Sequence, residues 1–118
     1  MDRLILMRHA KAERRSASGE DFDRPLTDQG RGDAAVVAQA LAKDGLVPSL
    51  ALVSAAQRTV DTWDAMREAF PRARTQTSKA LYNASPMEIL DALEGVSAGT
   101  VMVIGHNPGL HELAVGLL

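Results

Sequence analysis

Leu4-Ile5-Leu6-Met7 is an unbroken apolar run that ends at once in Arg8-His9. A run of that length reads as a strand buried on both faces. Leu50-Ala51-Leu52-Val53 and Val101-Met102-Val103-Ile104 are two more of the same kind. Between the first two, Asp33 to Lys43 carries Ala34, Val37, Ala38 and Leu41 at helical spacing, with Thr27 as its N-cap and Gly45 as its stop. Val60, Trp63, Met66 and Phe70 repeat at three- and four-residue steps up to Pro71, which predicts a helix after the second strand. Arg74 to Thr77 reads as a short third strand. Ser85-Pro86-Met87-Glu88 combines a capping serine, proline at the first helical position and a glutamate three residues on, a capping box opening a helix through Leu93. After Pro108 a further helical pattern runs through Leu110, Leu113, Ala114 and Leu117. Strands alternating with helices call for parallel pairing with helices on both faces. The expected fold is therefore α/β, a single-domain three-layer α/β/α sandwich over residues 1–118 with a mostly parallel sheet. Arg14 to Asp23 is a polar stretch suited to a mobile surface loop.

Composition narrows the functions. The chain has 118 residues, 46% of them hydrophobic and 24% charged, which suits one domain and excludes a multidomain arrangement. Charges interrupt every apolar run before membrane-spanning length, and the start lacks the basic lead and long apolar core of a signal peptide, so a cytoplasmic location is expected. With no cysteine there is no thiolate metal site and no thiol nucleophile. A net charge of −2 and only 3% aromatics argue against a nucleic-acid binder. Ten of the thirteen basic residues are arginine, whose donor fork suits phosphate oxygens.

In an open parallel sheet, functional groups gather at the carboxyl ends of the strands. The first strand ends in Arg8-His9, the second in Ser54 with Arg58-Thr59 one turn into its helix, and the last in Gly105-His106-Asn107-Pro108. Taken singly, each histidine is more often a hydrogen-bonding residue than a catalyst, and each arginine is more often solvated. Together, four cationic or cation-capable groups on one sheet edge would repel one another unless an anion sits between them. An oxyanion site follows. A metal site from His9, His106, His111 and Glu112 is disfavoured, because the step from His106 to His111 does not place both on one helix face. No Gly-x-Gly-x-x-Gly follows the first strand, which disfavours a dinucleotide domain.

At these residues the sequence resembles the histidine phosphatase superfamily. Met7-Arg8-His9-Ala10 is similar to its Arg-His-Gly signature, with Ala10 in place of glycine. Ser54 with Arg58-Thr59 resembles its second arginine motif, and Gly105-His106-Asn107 its late histidine motif. Arg8 to Ala12, Arg24-Pro25-Leu26-Thr27 and Gly105 to Pro108 resemble the small SixA-type phosphohistidine phosphatases, and the likeness spans Leu4 to Leu113. The resemblance implies a phosphoglycerate-mutase-like fold and phosphoryl transfer without a metal or other cofactor. His9 would attack phosphorus, Arg8 and Arg58 would hold the phosphoryl oxygens, and His106 would bind a further oxygen. It also brings Arg24 near the site. Ser54 either hydrogen-bonds phosphate or orients its turn, and Asn107 shapes its own turn or offers a backbone N–H to the anion.

No carboxylate among Glu13, Glu20, Asp21, Asp23 and Glu88 is singled out as a general acid. A departing imidazole needs less help from an acid than a serine alkoxide does, so a phosphohistidine substrate on a protein is expected. The resemblance makes a histidine-containing phosphotransfer protein the leading partner. A phosphatase of small phosphomonoesters and a non-catalytic phosphate-binding module are the alternatives. Family members continue to at least one more strand, so the chain, ending at Leu118 on a helical pattern, is expected to lack a C-terminal portion.

Overall fold

The computed structural model describes all 118 residues, Met1 to Leu118. Strands β1 (Arg3–Arg8), β2 (Leu50–Ser54), β3 (Arg74–Ser78) and β4 (Thr100–Gly105) alternate with helices α1 (Asp28–Lys43), α2 (Gln57–Met66), α3 (Pro86–Leu93) and α4 (Gly109–Leu117). The sheet order is β1-β4-β2-β3, and all three pairings are parallel. Arg8 lies opposite Gly105 and Val53 opposite Ile104, so the carboxyl ends of β1, β4 and β2 stand side by side.

Alternate residues of β2 and β4 feed two separate cores. Leu50, Leu52, Val101 and Val103 pack with Ile89 and Leu93 of α3 and Leu110 and Leu113 of α4. Ala51, Val53, Met102 and Ile104 pack on the other face with Ala34 and Ala38 of α1 and Trp63 and Met66 of α2. This is the expected three-layer sandwich. β2 and β4 are buried at every position, as continuous apolar runs require, and each fully buried aliphatic side chain contributes about 1.5–3 kcal/mol.

The local signals hold in detail. Thr27 accepts the amide hydrogen of Gly30 at 2.9 Å, so α1 starts directly after it, five residues before the periodic apolar run, and Gly45 follows the helix at φ +75°. Both halves of the Ser85–Glu88 capping box are present. The apolar repeat ending at Phe70 splits into α2 and a 3-10 turn, Arg67–Ala69, which delivers Phe70 to the core. β3 is a real strand although its residues are largely exposed, because it is an edge strand bonded to β2 alone. The stretch from Arg14 to Asp23 lies on the surface, but it is fastened at both ends. Ala12 bridges Leu26, Ser16 Oγ donates to the Glu20 carbonyl, and Asp21–Asp23 form a 3-10 turn.

Candidate active site

The parallel β1–β4 pair fixes the centre of the cluster. The His9 amide donates to the Gly105 carbonyl at 3.2 Å, and the His9 and His106 rings lie 5.6 Å apart, centroid to centroid. His9 Nδ1 is 2.7 Å from the Ala10 carbonyl oxygen. A carbonyl only accepts, so Nδ1 carries the proton and Nε2 is left with its lone pair. Ala10 is itself held, its N–H donating to Thr62 Oγ1 at 3.0 Å while that hydroxyl donates to the Arg58 carbonyl at 2.7 Å. Burial, reinforced by the charges of Arg58, Arg8 and Arg24 and opposed by the Ala10 bond, holds the His9 pKa below its ordinary value. The ring is neutral at physiological pH.

His106 is only 4% exposed, and its Nε2 lies 2.8 Å from Ser54 Oγ, itself fully buried at the end of β2. Burial first, then Arg58 and His9, depress its pKa to about 4. Ser54 thus orients His106, while Thr59 ties down the turn beside it by donating to the Ser54 carbonyl at 2.7 Å.

Arg58 is also 4% exposed, an uncommon place for a guanidinium. Nη1 donates to the Asp21 carbonyl at 2.8 Å and Nη2 to the Asp21 carboxylate at 3.1 Å. Arg58 Nε and His106 Nδ1 are buried without any partner. Two orphaned nitrogens within one cluster carry a desolvation cost that an incoming anion would relieve.

Arg8 is exposed and lines, with His9, Lys11 and Arg24, an open depression of about 440 Å³. Arg24 is three-quarters buried and donates to the Asp21 carboxylate at 3.0 Å and to the Glu13 carbonyl at 2.9 Å. Asn107 is exposed, and its Oδ1 accepts the His111 amide at 3.1 Å, which spends that oxygen on the first turn of α4. His9, Arg8, Arg58, His106, Ser54 and Arg24 are therefore brought together, and the Asn107 side chain is not. A larger cleft, about 700 Å³, lies between β3 and α3 and contains no histidine or arginine.

Sequence reasoning missed Asp21 and Tyr82. The Tyr82 hydroxyl donates to Asp21 Oδ2, its ring meets the His106 ring edge-on at 5.5 Å, and Arg58 lies over its face at 5.8 Å. The bond from Tyr82 is the main reason that the Asp21 pKa falls to about 2, with Arg58 and Arg24 adding to it, and in return Asp21 pushes the Tyr82 pKa up. Tyr82 sits just past the carboxyl end of β3, where the other strands also place their polar residues.

A parallel sheet carrying two histidines and two arginines at its carboxyl edge has the architecture of the phosphoglycerate-mutase-like α/β proteins. The chain belongs to the histidine phosphatase superfamily, branch 1, whose sequence profile matches residues 4–87. An uncharacterized chloroplastic protein of Arabidopsis thaliana is 36% identical over 95% of this chain, which spans 57% of that relative's length. Among solved structures, the candidate phosphohistidine phosphatase SixA of Agrobacterium tumefaciens superposes with a TM-score of 0.90 at 31% identity, covering 98% of this chain and 75% of that one. The protein histidine phosphatase SixA complexed with tungstate superposes with a TM-score of 0.81 at 26% identity, covering 95% and 74%. A phosphoglycerate mutase of Plasmodium falciparum shares the fold at 22% identity, with a TM-score of 0.68 over 98% of this chain and 67% of that one.

Proposed function

We propose that this protein is a phosphatase that removes the phosphoryl group from phosphohistidine on a protein, through a phosphohistidine intermediate on His9. The observation that carries the reading is the pair of buried, unpartnered nitrogens, Arg58 Nε and His106 Nδ1, in one cluster with a neutral His9 whose Nε2 is free. Tungstate bound to a SixA histidine phosphatase supports it, since tungstate is a tetrahedral oxyanion like phosphate.

His9 Nε2 attacks phosphorus and the substrate P–N bond breaks. When solvent has protonated the far nitrogen of the substrate ring, the leaving group is neutral imidazole and no protein acid is needed at the scissile atom. The Ala10 carbonyl does the corresponding service for the second step. It keeps a proton on His9 Nδ1, so water attack on the intermediate releases His9 as neutral imidazole and inorganic phosphate. Arg8 and Arg58 hold the phosphoryl oxygens, Arg24 stands beside them, and Ser54 donates to His106 Nε2 so that Nδ1–H points its proton to the anion.

The carboxylate joined to this cluster, Asp21, has a pKa of about 2 and holds no proton at neutral pH. An ester leaving as an alkoxide would need one, so a phosphoramidate suits the site better than a phosphomonoester. The test is phosphoenzyme trapping with a radiolabelled phosphohistidine protein, quenched rapidly, on wild type and His9→Ala. Acid-labile, base-stable label with phosphate release in wild type alone is the expected result. Turnover of sugar phosphates but not of phosphohistidine would overturn the substrate, and an inert wild type on both would overturn the enzyme.

A further inference from the structure

We propose that Lys11, Arg14 and Arg15 form a docking surface for an acidic face of the protein that bears the phosphohistidine. The inference rests on the reading of His9 given above. Beside the depression that holds His9 lie two more, of about 450 and 440 Å³, and the three are linked through Lys11, Arg14, Arg15 and Arg24. Lys11, Arg14 and Arg15 are exposed, and none has a carboxylate within 4 Å. Glu13 is the one acidic side chain between Lys11 and Arg15. The chain as a whole is net negative, so this positive rim is a local arrangement.

Its backbone is fixed rather than loose. The Thr27 amide donates to the Lys11 carbonyl at 2.9 Å and the Glu13 amide to the Pro25 carbonyl at 2.8 Å, so the three side chains are presented from a fastened ribbon. Arg8, Arg24 and Arg58, less the charge of Asp21, already match a phosphoryl dianion, and further cations exceed its charge. Additional negative charge must therefore come from the rest of the substrate. The rim spreads across three shallow depressions instead of enclosing one pocket, and residues 10–20 contain no aromatic side chain to stack on a base. That favours carboxylates spread over a protein surface. Such complementarity acts mainly on encounter and on salt dependence.

The test compares wild type with the double variant Arg14→Glu, Arg15→Glu on two substrates. One is free phosphohistidine, the other a phosphotransfer domain phosphorylated on a histidine ringed by acidic residues. Neither side chain lines the depression that holds His9, so turnover of free phosphohistidine should be unchanged. On the phosphoprotein kcat/KM should fall about tenfold or more at low ionic strength. Wild type and variant should converge near 0.5 M salt, where the screening length drops to a few ångströms, roughly between the ~10 Å of 0.1 M and the ~3 Å of 1 M. Equal kinetics on the phosphoprotein, or equal losses on both substrates, would overturn the proposal. If wild type turns over neither substrate, the reading of His9 has failed instead, and the affinity of the two proteins for the phosphoprotein then decides the rim: tighter wild-type binding supports it and equal binding overturns it. The double variant Arg14→Gln, Arg15→Gln serves as a milder probe if charge reversal impairs folding, judged by circular dichroism.

Discussion

Arg58 is gripped by Asp21 through two contacts, Nη1 to the main-chain carbonyl at 2.8 Å and Nη2 to the carboxylate at 3.1 Å. One guanidinium edge is thereby occupied by the protein itself, and Nε remains as its buried free donor. Asp21 sets the orientation of the arginine, and Tyr82 and Arg24 hold Asp21 in turn. Asp21→Asn keeps the carbonyl contact and removes the charge. We expect phosphoenzyme formation to slow by about tenfold and stability to drop by about 1 kcal/mol, a modest value because the Asp21 side chain is half exposed. Rapid-quench kinetics and urea denaturation check the two parts.

Arg58→Lys preserves the charge but not the fork. A lysine cannot bond both Asp21 oxygens and still present a rigid third donor to the anion. Single-turnover transfer from phosphohistidine should fall by about a hundredfold or more. A variant that transfers at the wild-type rate would remove Arg58 from the chemistry.

His9 must be neutral to attack, and its pKa lies below the ordinary 6.5. The acid limb of phosphoenzyme formation should therefore fall below pH 6.5, with a separate decline at higher pH as the substrate ring loses its own proton. Burial is the main cause, and Arg24 is one of the cations that assist. Arg24→Gln should move the limb upward, as a pH–rate profile of the two proteins would register.

His106, with a folded pKa of about 4, binds its proton less readily than it does in the unfolded chain. The contribution of His106 to stability should thus be intact above pH 6.5 and be lost as pH falls from there toward 4, below which Asp21, with its pKa of about 2, begins to lose its own. His9 adds in the same direction. Urea midpoints at several pH values should show a shallower decline for His106→Gln than for wild type.

Gly30 lies where a Cβ would come within 2.2 Å of the Lys11 carbonyl oxygen. Gly30→Ala should cost roughly 1–3 kcal/mol and also slow catalysis, because the clash falls on the main chain two residues after His9. Thermal unfolding and turnover, measured together, would expose that linkage.

Much of this fold can be read directly from the chain. The three apolar runs became the three strands that carry His9, Ser54 and His106. β2 and β4 are buried on both faces and so are apolar throughout, whereas β1, at the sheet edge, is only half-buried and not the fully buried strand its sequence suggests. β3 was faint since Arg74, Thr75, Gln76 and Thr77 are exposed at an edge and need no such pattern. Asp21 and Tyr82 were hidden for a different reason. Their partnership joins a surface turn to the end of β3, and no local periodicity encodes a contact between residues so far apart. The sole tyrosine at a strand's carboxyl end was the available signal. Arg58 read alone suggested a solvated helix position, and only the pairing with Asp21 explains its burial.

The β1–β4 pairing also has a bearing on how the protein matures. His9 and His106 stand near opposite ends of the 118-residue chain, and they meet only when β1 docks on β4. Closing so long a loop is entropically dearer and slower than forming the shorter β2–β3 crossover. Helices and the β2–β3 pair can assemble before that event, but the paired histidines cannot. Recovery of the phosphatase activity proposed for His9 would therefore trail the return of secondary structure on refolding, making that activity a reporter of β1–β4 docking.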